Sequence, residues 1–308
     1  MLKNLPKKIK IVEVGPRDGL QNEKEFISTD VKLNYIQKLI DSGLETIEAT
    51  SFVSPRAIPQ MKDSVDLFEK IKTTDSFKKS SVHFPCLVPN MKGFETALKL
   101  GVKEISLFSA TSSEFTQKNI NATVEESFVR MEEIAKAAKE NSIRIRAYIS
   151  TAFGCPYNGE MPASALVDII ERFEKLEPYE ISIGDTIGVA TPAQVDSYLK
   201  EVLKVVDKSR VAMHLHDTRG MAVANTLVSL EHGISIYDSS SGGLGGCPYA
   251  KGATGNVATE DLIYLFDSLG IEHGVDLEKL VDASSYILEA VKKKTPSKFL
   301  SAYLKSRK

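Results

Sequence analysis

The chain has 308 residues, 42% hydrophobic and 26% charged, with a net charge of −2. That composition suits one large core or two modest ones, gives no electrostatic footing for nucleic acid, and contains no apolar run long enough to cross a bilayer. Cys86, Cys155 and Cys247 are too few and too scattered for a disulfide framework, so a cytoplasmic, reducing setting is expected; residues 1–10 carry no apolar core of signal-peptide length.

Taken in order, short β-branched runs alternate with longer amphipathic ones. Strands are expected over 9–14, 46–49, 82–88, 104–108, 143–150, 179–184, 211–216 and 236–239. Helices are expected over 29–42, 62–72, 91–100, 124–141, 163–176, 192–206, 221–232 and 259–269. Helix starts are marked by the run 121–126, with acidic Glu125 and Glu126, and by Thr191-Pro192; Gly43, Gly101 and Gly233 sit where helices should stop. Eight strand–helix units match an α/β fold of the (β/α)8 TIM-barrel type, with an additional C-terminal helix over 277–294. A doubly wound open sheet is the alternative that the same alternation can build. No linker divides the chain, so residues 1–308 read as a single catalytic domain: a barrel over about 9–270 and a C-terminal helical extension over about 277–308.

Barrel active sites lie at the C-terminal ends of the strands, and the unusual polar residues collect there. Arg17 and Asp18 follow the first strand, Glu48 ends the second, and Asp185 follows the sixth. His214 and His216 end the seventh, two residues apart and so on one face. Cys247 and Asn256 lie on the loop after the eighth, which is the first strand's neighbour in a closed barrel. Asp18, His214, His216 and Asn256 together suit a borderline-to-hard divalent ion, leaving octahedral positions for water or substrate oxygens. An isolated His-x-His serves equally well as barrel core; Asp18 and the count of eight strands favour the metal. Arg17 offers a fixed cation for an enolate or thioester oxygen. Glu48 and Asp185 either orient Arg17 and bond water on the metal, or belong to a structural network.

Residues 242–255 hold six glycines in fourteen positions, the composition of a mobile lid or of a long surface connection. Within them Gly245-Gly246-Cys247-Pro248-Tyr249 carries a thiol, which either delivers a proton to a carbanion or simply packs.

The segments 12–23 (Val12-Glu13-Val14-Gly15-Pro16-Arg17-Asp18-Gly19-Leu20-Gln21-Asn22-Glu23), 50–55, 184–188, 214–218 and 242–261 resemble the 3-hydroxy-3-methylglutaryl-CoA lyases, within the metal-dependent barrel superfamily that includes the isopropylmalate and homocitrate synthases. The Gly-Gly-Cys-Pro-Tyr-Ala loop is the part specific to the lyases. The resemblance implies cleavage of 3-hydroxy-3-methylglutaryl-CoA to acetyl-CoA and acetoacetate, a step of leucine breakdown and ketone-body formation. It implies Mg²⁺ or Mn²⁺ held by Asp18, His214, His216 and Asn256. Arg17 and Cys247 match its catalytic residues, and Asp18 and His214 are candidate bases. Gln21, Lys24, Glu48, Asp185 and Glu260 match substrate-binding or supporting positions, with Lys24 and Lys251 available by charge for the CoA phosphates. It also implies an acyl-CoA substrate and a homodimer. Arg219 departs from the pattern, which expects a neutral residue after His-Asp-Thr. Two other readings remain: a condensing enzyme of the same superfamily, which has no need of a lid cysteine, and a noncatalytic acyl-CoA or metal-binding protein on the same fold.

Overall fold

Strands buried on both faces read as nearly unbroken apolar runs, and such runs form the central sheet. The computed structural model describes residues 5–246 and 255–307. Its strands are β1 (Lys10–Glu13), β2 (Thr50–Ser51), β3 (Cys86–Leu87), β4 (Glu104–Ala110), β5 (Arg144–Ser150), a hairpin of β6 (Gly154–Cys155) and β7 (Gly159–Glu160), then β8 (Glu180–Asp185), β9 (Val211–Leu215) and β10 (Ile236–Ser239). Apart from the hairpin they form one parallel sheet in the order β1-β10-β9-β8-β5-β4-β3-β2. The ring closes through the backbone of one residue: Glu13 N donates to Thr46 O (3.0 Å) and Glu48 N donates to Glu13 O (2.9 Å). The architecture is the (β/α)8 barrel, not the open doubly wound sheet.

The expected second strand over 46–49 is present as single bridges, Thr46 to His83 and Ile47 to Glu13, and a regular ladder begins only at Thr50. The third shrinks from 82–88 to two residues because Pro85 has no N–H to give the ladder, although its carbonyl still accepts from Ala49 N (3.0 Å). Helix starts follow side-chain chemistry. Thr123 and Thr191 form reciprocal capping boxes with Glu126 and Gln194, and Pro192 occupies the first turn. Gly101 ends the helix Met91–Leu100 in the left-handed conformation, φ 76°. The helix Pro192–Val202 is shorter than expected, and the short helices Asp75–Lys78 and Ser113–Ile120 had no clear periodicity to announce them.

The main core lies between the sheet and the surrounding helices. Leu280 and Ile287 of the helix Leu277–Ala290, and Leu300 of the helix Lys298–Ser306, belong to the same apolar cluster as the barrel. Inside the ring, Val12, Val14, Ala212 and Ile236 form a small apolar plug. A polar layer that includes Arg146, Glu180, Ser182 and Asp238 is also buried.

Candidate functional site

After β1 the chain makes a tight π-helical turn, Gly15–Gly19, with Asp18 N and Gly19 N both donating to Val14 O (2.7 and 3.1 Å). A side chain at Gly15 is excluded, because a Cβ there would lie 2.3 Å from Tyr35 Oη and 2.5 Å from Glu13 Oε1. The turn puts Arg17 and Asp18, both buried, at the mouth of the ring.

Asp18, His214 and His216 offer ligand atoms that all lie within 4.8 Å of one another. His214 Nε2 is 3.4 Å from His216 Nε2 and 4.0 Å from Asp18 Oδ2. Neighbouring ligands of a six-coordinate ion with bonds of about 2.1 Å stand about 3 Å apart, so the set fits a divalent cation with a small contraction. His214 Nδ1 faces Asp238 Oδ2 at 3.1 Å. That contact assigns the ring proton to Nδ1 and turns the Nε2 lone pair toward His216 and Asp18. Asn256 reaches the cluster through a bridge to His216. Its Nδ2 donates to Asp18 Oδ2 (2.8 Å) and Leu244 O (3.2 Å), while its Oδ1 is buried with no hydrogen-bond partner among the described residues. Burial works against charge on Asp18, but the fields of Arg17 and the two imidazoles outweigh it and hold the carboxyl below its usual range.

Arg17 is clamped from two sides. Its Nε donates to Glu48 Oε2 and its Nη1 to Asp18 Oδ1, both at 2.6 Å. Desolvation favours the neutral guanidine, yet the two carboxylates push the group further toward its charged form. Gln21 Nε2 donates to the same Asp18 oxygen at 3.0 Å. These groups open onto a cavity of about 440 Å³, lined also by Ser51, Leu87, Phe108, Tyr148 and Thr186.

Not every expected site residue meets that cavity. Asp185 is buried beside it and accepts from Val189 N and Ala190 N (both 2.9 Å), so it shapes the loop after β8 instead of orienting Arg17. Glu260 lies behind the root of the glycine-rich loop. It accepts from Gly242 N (2.9 and 3.1 Å) and Ser284 Oγ, and burial raises its pKa to about 7. Lys24 is exposed and is absent from the cavity wall. Cys247 and Lys251 lie outside the described residues.

Other residues matter that the motifs did not single out. Arg146 is fully buried: it donates to Glu180 Oε1 (2.5 Å) and grips Asp238 with Nη2 and Nη1 (2.6 and 3.1 Å). Asp238 also accepts from Ser182 Oγ (2.8 Å), and despite burial the guanidinium and His214 hold it well below its usual pKa. Glu13 accepts from Gly15 N and Ser241 N (both 2.9 Å) and Thr259 Oγ1 (2.7 Å), tying the π-turn to the loop after β10, and burial raises its pKa to about 8. The available signal was a charge in the middle of a strand that must be buried on both faces, as at Arg146, Glu180 and Asp238.

Residues 8–287 match the family model described as HMGL-like. The chain is 50% identical over 301 residues to the mitochondrial hydroxymethylglutaryl-CoA lyase of Rattus norvegicus, covering 98% of this chain and 91% of that one. The hydroxymethylglutaryl-CoA lyase of Pseudomonas aeruginosa has a similar structure, with a TM-score of 0.94, 44% identity, and coverage of 99% of this chain and 100% of that one. An HMG-CoA lyase of Acinetobacter baumannii in complex with coenzyme A and 3-methylmalate superposes with a TM-score of 0.90 at 33% identity, covering 96% and 95%.

Proposed function

This chain belongs to the HMGL-like family, and from that premise we propose that it is a carbon–carbon lyase cleaving 3-hydroxy-3-methylglutaryl-CoA to acetyl-CoA and acetoacetate. The observation that carries the reading is the consecutive pair Arg17-Asp18, which brings a permanent cation and a metal-binding carboxylate to one cavity beside His214 and His216.

Asp18, His214 and His216 would hold the divalent cation, with Asn256 joining through the Oδ1 that lacks a partner among the described residues. Mg²⁺ or Mn²⁺ suits this oxygen and imidazole set. When bound, the cation supplies Lewis acidity toward the substrate's tertiary hydroxyl. Asp18 is the base that takes the hydroxyl proton; His214, with its proton on Nδ1 facing Asp238 and its Nε2 lone pair given to the cation, has no free lone pair for that role. The oxygen's electron pair then forms the ketone of acetoacetate as the C2–C3 bond breaks, and the bonding pair passes to C2 and the thioester oxygen. Arg17, with Nε and Nη1 committed to Glu48 and Asp18, turns Nη2 to that oxygen as it gains charge. Cys247 returns a proton to C2, which yields acetyl-CoA. Glu48 fixes Arg17, Gln21 steadies Asp18, and Asp185 and Glu260 hold the loops that frame the site.

An acyl-CoA substrate is supported by the Acinetobacter relative, whose complex holds coenzyme A. No helix among the described residues is long and apolar enough to cross a membrane. Cytoplasmic residence, a homodimer, one catalytic domain over 1–308, and a place in leucine breakdown and ketone-body formation complete the proposal.

The test is to strip the protein with chelator and incubate it with 3-hydroxy-3-methylglutaryl-CoA, with and without Mg²⁺ or Mn²⁺, while assaying acetoacetate. Metal-dependent acetoacetate is the expected result. Folded, metal-binding protein that yields none refutes the assignment.

A further inference from the structure

Tyr148 lies two residues beyond Arg146 on β5, and strand alternation points both side chains into the ring. Two cationic groups lie over its ring, Arg146 Cζ 4.7 Å and Arg17 Cζ 5.5 Å from the centroid. The ring also meets His214 at 84°, with centroids 6.0 Å apart. Guanidinium–ring contacts of this kind fix a ring's orientation. The direction of the phenol is therefore set by the same two arginines that organise the site.

That phenol has nothing to bond within the described structure. Tyr148 Oη is buried and has no hydrogen-bond partner among the described residues, although the side chain lines the cavity. Buried tyrosine hydroxyls usually find a partner. Ser51 Oγ, on the same wall, shares this condition, but no ring contact pins it. A rigid donor beside Arg17, carried by a side chain that lines a cavity meant for a substrate with a developing negative charge, has the form of half an oxyanion hole.

We propose that the Tyr148 hydroxyl donates a hydrogen bond to the substrate's thioester oxygen, beside Arg17, and that this bond strengthens as the oxygen becomes an enolate. The inference rests on the lyase reading above. The C2–C3 electron pair moves to C2 and is shared with that oxygen, while the new ketone takes its second bond from the former hydroxyl oxygen. Tyr148 keeps its proton throughout, and the proton finally gained by C2 comes from elsewhere.

The experiment is Tyr148→Phe, which removes one oxygen and keeps the ring against its two arginines. Expected are a fall in kcat of about 10²- to 10³-fold, a KM within about twofold of wild type, and unchanged Mn²⁺ stoichiometry and Tm. A second measurement follows exchange of the acetyl-CoA methyl hydrogens with deuterated solvent, which requires the enolate and no C–C cleavage; it falls by a similar factor. Wild-type kcat in the variant refutes the proposal. So does a loss confined to KM, which marks uniform binding rather than a bond to the developing charge. Loss of metal or of Tm alongside activity refutes it too, since the hydroxyl would then be structural. Wild-type protein that makes no acetoacetate refutes the lyase reading instead, which keeps the two failures apart.

Discussion

Arg146 grips Asp238 with two hydrogen bonds, 2.6 and 3.1 Å long, where neither side chain has any solvent exposure. Asp238 in turn faces His214 Nδ1, so the orientation of one imidazole of the metal set is fixed from beneath by a buried ion pair. Asp238→Asn keeps the shape and removes the charge. Mn²⁺ affinity is expected to weaken by about 10- to 100-fold. Stability is expected to fall by about 3 kcal/mol, since among the described residues Glu180 is then the one carboxylate paired with Arg146. Metal titration and urea denaturation measure the two effects, and unaltered affinity would show that His214 needs no such support.

Arg17→Lys tests the fork. Lysine offers a point charge that cannot bridge Glu48 and Asp18 while presenting a further N–H to the cavity. We expect kcat to fall by about 10²- to 10³-fold with the full complement of bound Mn²⁺. Metal loss in this variant would instead make Arg17 a keeper of Asp18.

Cys247→Ser is expected to lower turnover by orders of magnitude and to leave metal content unchanged, because a hydroxyl is a far weaker acid than a thiol at this step. Unchanged turnover takes the thiol out of the mechanism.

Two of the buried glutamates, Glu13 and Glu260, make stability depend on pH in the direction opposite to the paired aspartates. Glu13 has a folded pKa of about 8 against an ordinary 4.5, so it binds its proton more tightly when folded. Its contribution is complete below about pH 4.5 and is lost as pH rises through about 8. Glu260 behaves the same way up to about pH 7. Asp18 and Asp238, both held below 3.8, lose their contribution as pH falls. Glu13→Gln can still accept from Gly15 and Ser241. It is expected to flatten the decline in unfolding free energy between pH 5 and 8 by up to about 1.4 kcal/mol per pH unit. Denaturation series at several pH values check this, and an unchanged slope would mean that Glu13 is ionised throughout.

Much of this was legible in the sequence because the barrel repeats a simple pattern and its chemistry sits in short motifs. His214 and His216 share a face by strand alternation alone, and Asp18 follows the first strand whatever the details of the turn. The π-turn was not legible, since it depends on Gly15 being crowded by Tyr35, which comes from elsewhere in the fold, as well as by the neighbouring Glu13. Asp185 and Glu260 show the limit of motif reasoning. Both lie in the right segments, yet their oxygens are used by backbone amides of Val189, Ala190 and Gly242, which no spacing rule reveals. Tyr148 was invisible for a different reason: an aromatic residue in a strand normally just fills space, and what distinguishes it is that its oxygen has no partner among the described residues.

Glu13 closes the barrel with its backbone, and with its side chain reaches Ser241 and Thr259, which lie 228 and 246 residues further along. A ribosome delivers those partners last. Until then β1 has no β10 to lie against, and such an unpaired edge is sticky. A product stopped short of residue 236 would therefore combine an open seam with a site that lacks Asn256. Turnover in a cell extract thus reports chains made and folded from end to end, and prematurely terminated ones should surface in the insoluble fraction.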